Sequence, residues 1–429
     1  MTGTTVAVLA LLVFAWAVLS GPLARRNVTA PLLFTACGFL LSNADWGPLA
    51  VDVDTAVVHT IAEVTLALVL FADASRINLT RLRHDAGLPL RLLLIGLPLT
   101  VLAGAALAGS LLAGLPTGLA LFVGAALAPT DAALSVQVIN DKRVPLRIRR
   151  SLNVESGLND GIVTPIVTIA LAIAVGELGG IGDASVLDAV RELAGGVGIG
   201  VLLGWGGGWA IEASGRRGWI GRDNRQLAGL AIALCAFATA LATGSNGFIA
   251  AFVAGIGFGA TPAVQVPDSD ESGDELPELS GELLALVVWY LFGAALVPLA
   301  LDHLTWQVIA YAAASLTVLR MVPVALALLG TGLDRRSVAF IAWFGPRGLA
   351  SVVFAVLAIE ELGDSAVAAD LAVGAVTLTV LASVILHGVT AGPAARSYGD
   401  AGDATATDGA APRSRAGLIS GWHHRHRAG

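Results

Sequence analysis

Apolar runs long enough to cross a bilayer recur along most of this chain, and they decide what it can fold into. A spanning helix needs about 20 predominantly apolar residues. Thirteen such stretches are read here, some shortened by Gly and Pro: 4–20, 28–42, 56–72, 88–113, 118–138, 152–175, 187–211, 226–243, 247–261, 281–301, 306–329, 337–359 and 366–390. In lipid, backbone polar groups must be satisfied internally, so runs of this kind form helices. Of 429 residues only 13% are charged and 56% are hydrophobic, against about a quarter charged in a soluble domain. The expected class is an all-α polytopic membrane protein of about 13 transmembrane helices. No basic start precedes 4–20, which therefore reads as a first span and not a cleavable signal. Cys37 and Cys235 both lie in apolar runs and read as packing residues.

The count is tested by positive charge. The turns after spans 1, 3, 5, 7, 9 and 11, with the C-terminal tail, hold 22 of the 25 Lys and Arg residues. A miscount early in the chain would scramble that alternation. By the positive-inside rule the N-terminus is outside and the C-terminus cytoplasmic, in a cell membrane. One cytoplasmic loop, 264–280 (VQVPDSDESGDELPELS), is purely acidic. Acids contribute little to orientation, so it reads as a solvated linker. The domain reading is a transmembrane unit over 1–392, with repeats roughly 1–175 and 226–392. A disordered cytoplasmic tail over 393–429 follows, ending WHHRHRAG.

Few ionisable residues fall inside the spans. They are Glu63 and Asp73 near span 3, Asp131 in span 5, Glu155 and Asp160 in span 6, Arg320 in span 11 and Arg347 in span 12. At that depth an ionisable group is a functional candidate, and a structural ion pair is the competing reading for each. Spacing sharpens the choice. In the stretch ESGLNDG, Ser156 and Asp160 stand four apart and share a helix face; Glu155 and Asn159 share the neighbouring one. The first face offers a hydroxyl and a carboxylate, oxygen ligands suited to a hard monovalent cation. The second offers an acid and an amide for a polar network.

Spans 5 and 12 each carry a Pro-centred interruption followed by a charge: Ala128-Pro129-Thr130-Asp131 and Gly345-Pro346-Arg347. Proline removes a helical hydrogen bond, which frees carbonyls and, at Thr130, leaves a hydroxyl beside them. Each is the fifth element of a six-span set, if the sets run 1–6 and 8–13. One linking span between them makes the sets antiparallel. Two inverted repeats with discontinuous, crossed helices 5 and 12 are the expected signature of a secondary transporter. The glycines of 204–208, GWGGG, read as helix-packing residues and not as a nucleotide loop.

LAPTDAALS, then ESGLNDG about 20 residues on, then a lone late Arg and FGPRGLAS, resemble the monovalent cation:proton antiporters of the NhaP and sodium/proton-exchanger type. The resemblance covers roughly 5–392. It implies that Asp160 carries the cation or proton, with Asp131, Thr130 and Ser156 at the same site. It implies that Glu155 pairs with a buried Arg, taken as Arg320, and that Asn159 marks an electroneutral branch. Arg347 is the charge of the broken span 12. Ala132 stands where the family usually has Pro. The resemblance further implies a homodimer. The stretch LFADASRINL around Asp73 also resembles the end of the family's third span, with no role assigned to Asp73. The implied activity is exchange of sodium, or of lithium or potassium, for a proton by competition at one carboxylate. The cargo is the only ion called for; no cofactor, nucleic acid or enzymatic step is expected. Two readings from other classes compete. An intramembrane aspartyl protease would use Asp131 and Asp160 on one water. A cation channel would need a continuous wet path.

Overall fold

A computed structural model describes residues 3–43, 47–49, 55–77, 87–178, 186–261, 275–363 and 367–408. Among them the regular structure is helical throughout. The helices are α1 (Gly3–Arg25), α2 (Ala30–Ser42), α3 (Thr55–Ser75), α4 (Gly87–Leu111), α5 (Thr117–Ala126), α6 (Ala132–Ile139), α7 (Leu146–Glu177) and α8 (Val186–Arg216). They continue as α9 (Arg222–Ala242), α10 (Gly247–Gly259), α11 (Leu276–Asp302), α12 (Trp306–Leu316), α13 (Val318–Ala327), α14 (Arg335–Trp343), α15 (Leu349–Leu362) and α16 (Val367–Asp408). Among the described residues nine helices are long and apolar enough to cross a membrane, with α12 and α13 counted as one. The short α2 and α10 and the broken pairs α5–α6 and α14–α15 supply the other four spans of the thirteen.

Local chemistry explains several irregularities. A π turn at Leu92–Gly96 in α4 precedes Pro98, and another at Phe292–Leu296 in α11 precedes Pro298. A proline cannot donate its hydrogen bond and crowds the carbonyl four residues back, so the helix widens there. Span 11 is read from the sequence as one stretch over 306–329. It is interrupted at Thr317, whose backbone leaves the helical region at φ −118° and ψ −93°. No Gly or Pro marks this break.

The helices pack as two groups. One holds α2, α3 and α8–α11; the other holds α4–α7 and α12–α16. In the absence of a hydrophobic drive between helices in lipid, small residues permit close backbone approach. A Cβ on Gly38 of α2 would lie 2.0 Å from the Tyr290 carbonyl oxygen, and one on Gly293 of α11 would lie 2.0 Å from that of Thr35. These two glycines weld α2 to α11. In the GWGGG stretch, Gly204 backs onto Ala254 and Gly207 onto Ile232, whereas Gly206 faces open space. Helix α1 is the exception: it packs on α11 and is largely exposed.

Two expectations need correction. The stretch 393–408, read as disordered, continues α16 as helix past Pro393. Its Ala395 is buried. Its Tyr398 hydroxyl lies 2.6 Å from the Ser337 hydroxyl, and its ring packs on Phe340 with centroids 4.5 Å apart. Aromatic contact and a hydrogen bond to α14 outweigh a polar composition that gives no apolar drive of its own. Cys235 is exposed on α9, not packed inside; Cys37 is half-buried. The terminal His-Arg cluster and most of the acidic loop (264–274) lie outside the described residues.

Candidate functional site

The two Pro-centred breaks cross, and each satisfies the other's backbone. Asp131 is the N-cap of α6: its Oδ1 accepts from the amides of Ala133 at 2.7 Å and Leu134 at 3.3 Å. Its Oδ2 accepts from the Leu349 amide, the first of α15, at 2.9 Å. Its own amide donates to the Pro346 carbonyl at 2.9 Å. One carboxylate therefore caps two helix N-termini, where the helix dipole favours negative charge. The glycine of the second break has a physical reason: a Cβ on Gly348 would sit 1.8 Å from Asp131 Oδ2.

The opposite charge does the opposite work. Arg347, fully buried, donates from Nη1 to the carbonyls of Ala128 (3.0 Å) and Pro129 (3.3 Å), at the C-terminal end of α5. Its Nη2 donates to the Ser315 carbonyl at 3.3 Å, beside the Thr317 break. The Ser351 hydroxyl adds a bond to the Ala126 carbonyl at 2.6 Å. Carbonyls of the unwound stretch at Pro129 are thus met by a cationic side chain.

Helix α7 presents its two faces differently. On the buried face, Glu155 Oε1 lies 2.6 Å from Arg320 Nη1, with both side chains almost wholly excluded from solvent. The pairing uses one carboxylate oxygen; among the described residues Glu155 Oε2 and Arg320 Nε and Nη2 have no hydrogen-bond partner. Gly345 leaves room for this Arg: a Cβ there would lie 2.4 Å from Arg320 Nε. Asn159 Nδ2 donates to the Thr130 hydroxyl at 2.8 Å and more weakly to its carbonyl at 3.3 Å. The Ser156 hydroxyl donates to the same carbonyl at 2.5 Å. Two side chains of α7 therefore clamp the unwound Thr130.

The other face of α7 lines a cavity of about 980 Å³ that also touches α3, α6 and α11. Asp160, Ser156 and Asp131 are on its wall, and so is Asp73 from α3. Of the five residues expected to form one site, Asp160, Asp131 and Ser156 meet the cavity, while Thr130 and Asn159 stand behind it. Asp73 has no role in the sequence reading; its place near span 3 and the resemblance of its stretch to the family's third span were the signals for it. Asp160 is half-buried, and its carboxylate accepts no hydrogen bond and joins no ion pair among the described residues. Exposed Arg76, Arg147 and Arg150 lie along the same cavity, and Arg76 pairs with Glu278.

Comparison with known proteins places these features in context. The family model described as "Sodium/hydrogen exchanger, transmembrane" matches residues 8–397. The K(+)/H(+) antiporter NhaP2 of Shewanella oneidensis is 25% identical over 90% of this chain and 65% of its own length. The K(+)/H(+) antiporter NhaP of Alkalimonas amylolytica is 26% identical over 78% of this chain and 57% of its own. The chain thus spans under two thirds of the length of the curated relatives it matches. Among solved structures, the sodium proton antiporter MjNhaP1 from Methanocaldococcus jannaschii superimposes with a TM-score of 0.71 at 19% identity. That match covers 92% of this chain and 99% of that one.

Proposed function

Since the chain belongs to the sodium/hydrogen exchanger family, we propose that it exchanges a monovalent alkali cation for a proton at Asp160. One observation carries the reading. Among the intramembrane charges at the crossing, Asp131, Glu155, Arg320 and Arg347 are all committed to named partners. Asp160 meets the cavity beside Asp131 and Ser156 with its carboxylate uncommitted among the described residues, a condition that Asp73 on the α3 wall shares. A lone carboxylate in a half-buried site must be neutralised, by a proton or by a cation. Competition for it couples the two fluxes. Ser156 and Asp131 are the neighbouring oxygen ligands on the cavity wall; Asp73, across from them on α3, adds negative charge to the approach. Thr130 and Asn159 hold the shape of the break behind these ligands.

Alternating access follows from the two packed groups. The group containing α4–α7 and α12–α16 would shift as a body against the other, carrying the site with it. The basic residues beside the cavity, Arg76, Arg147 and Arg150, belong to the set that the positive-inside rule puts in the cytoplasm. In this reading the cavity opens inward, the N-terminus is outside, and the protein acts as a homodimer. The protease reading is disfavoured by Asp131: with three backbone amides on its oxygens, it is not free to share a water with Asp160.

The test is cation-induced dequenching of a pH dye in vesicles, scanned over sodium, lithium and potassium. Saturable, proton-coupled flux with at least one of them is expected; none with any would overturn the proposal. With one carrier carboxylate and a neutral Asn159 beside it, exchange is one-for-one. A membrane potential, about 2.3 kcal/mol per elementary charge per 100 mV, then has nothing to act on. Proton flux in proteoliposomes clamped with valinomycin should not change with the clamp. A steady current would add a second proton-carrying acid.

A further inference from the structure

The break in span 12 is held from a side that the exchange site does not use. Helix α16 presents Ser383, His387 and Thr390, spaced by four and three residues and so on one face. The Ser383 hydroxyl, fully buried, accepts from the Arg347 backbone amide at 2.7 Å. The His387 ring is 1% exposed and lies with Nε2 3.0 Å from the Trp343 carbonyl, the last of α14. Its Nδ1 lies 3.2 Å from the Ser383 hydroxyl and 3.1 Å from the Ser383 carbonyl. The Trp343 ring packs on the imidazole with centroids 5.4 Å apart, and its Nε1 donates to the Thr390 hydroxyl at 3.3 Å.

Nε2 faces only the Trp343 carbonyl, which can only accept, whereas Nδ1 has beside the Ser383 carbonyl a hydroxyl able to donate to it, so Nε2 carries the proton. In the neutral ring Nδ1 is then an acceptor, and the Ser383 hydroxyl donates to it. The chain of bonds runs Arg347 amide to Ser383 hydroxyl to His387 Nδ1, and from His387 Nε2 to the Trp343 carbonyl. It joins the last residue of α14 to Arg347, inside the break. The gap it fixes, Phe344 to Pro346, is the backbone that receives the Asp131 amide and precedes the Leu349 amide on Asp131 Oδ2. The charged groups near the ring are Arg347 and Arg320; neither is an acceptor for it.

We infer that Ser383 and His387 are positioning residues for exchange: together they clip the span 12 break so that Asp131, and through it the cavity wall, keeps its geometry. The inference goes beyond the proposed function and rests on it only for its transport readout.

The experiment has two arms. In detergent, hydrogen–deuterium exchange over residues 343–349 is compared for wild type, Ser383→Ala, His387→Leu and His387→Gln. Ser383→Ala and His387→Leu should speed exchange at the Arg347 and Leu349 amides. His387→Gln, whose amide nitrogen can donate where Nε2 did, should stay near wild type. In vesicles, His387→Leu should raise the apparent KM for the cation about tenfold, the size of one lost buried hydrogen bond. His387→Gln should recover most of that, and the double variant with Ser383→Ala should be no worse than His387→Leu, because the pair acts as one unit. Unchanged amide exchange in both Ser383→Ala and His387→Leu overturns the inference whatever the transport result. So does equal loss in His387→Leu and His387→Gln with KM unchanged, which marks a purely structural residue. Absence of flux in wild type, with the deuterium pattern as expected, would instead count against the proposed function alone.

Discussion

Asp131 and Asp160 stand 29 positions apart, face one cavity, and live in different chemical worlds. Asp131 sits at the crossing, with backbone amides from two helices on its two oxygens. Asp160 sits on the wall of α7 with no such donor. The same contrast separates the dry crossing as a whole from the cavity. At the crossing, Glu155 meets Arg320, and Arg347 meets three carbonyls. An intramembrane charge that has a partner holds the crossing together; one that is left uncommitted can take and release a small cation. Composition treats the two aspartates alike, and only their partners tell them apart.

The sharpest way to break this contrast is Asp160→Asn. Exchange should be abolished, since an amide neither titrates nor draws a cation by charge. Melting temperature in detergent should hold or rise, because no partner is lost. Normal flux at matched protein level would refute the division of labour.

Next in size is Arg320→Ala, which strands Glu155 as a buried unpaired charge. Such losses run to roughly 3–5 kcal/mol. Adding Glu155→Gln should restore part of the stability, and a double variant as unstable as the single would refute the pair. Asp131→Ala comes third. It removes one cap from each of two helices and should cost about 2 kcal/mol, read as a fall in melting temperature. Asp131→Asn keeps one acceptor oxygen, so it should cost less. If Asp131→Ala were as stable as wild type, the crossing would not depend on its carboxylate. Ser156→Ala should lose about 1 kcal/mol, the worth of one hydrogen bond to Thr130, and should weaken cation affinity besides, since this residue belongs to both regions. The smallest effect is expected at exposed Arg335, where Ala should change stability by no more than about 0.5 kcal/mol.

Much of the site was legible because its signals are local. Pro129 and Pro346 announced the two breaks, and the four-residue spacing of Ser156 and Asp160 put them on one face. The pairing of Glu155 with Arg320 was not local; the resemblance to the antiporter family implied it, and the structure brings the two together. Other features left no local mark. The Thr317 break lies in SLTVLR, with neither Gly nor Pro, and it exposes the Ser315 carbonyl that Arg347 uses. Asp73 reaches the cavity because α3 packs beside α7. The helical course of 393–408 depends on Tyr398 finding α14. In each case the partner is far along the chain, and no window of sequence contains both.

By itself, then, the sequence determined the membrane class, the number of spans, the positions of the two breaks and the short set of charges buried among them. Those follow from apolar length, proline chemistry and the cost of ionisable groups in lipid, all of which act within a few residues. The tertiary structure decided which of those charges is spent and which is free. That choice rests on which carbonyls and amides the crossing brings within hydrogen-bond reach. Asp131 is used up by the Leu349 amide 218 residues away, and Asp160 is left over because, among the described residues, no donor at the crossing comes within hydrogen-bond reach of its carboxylate.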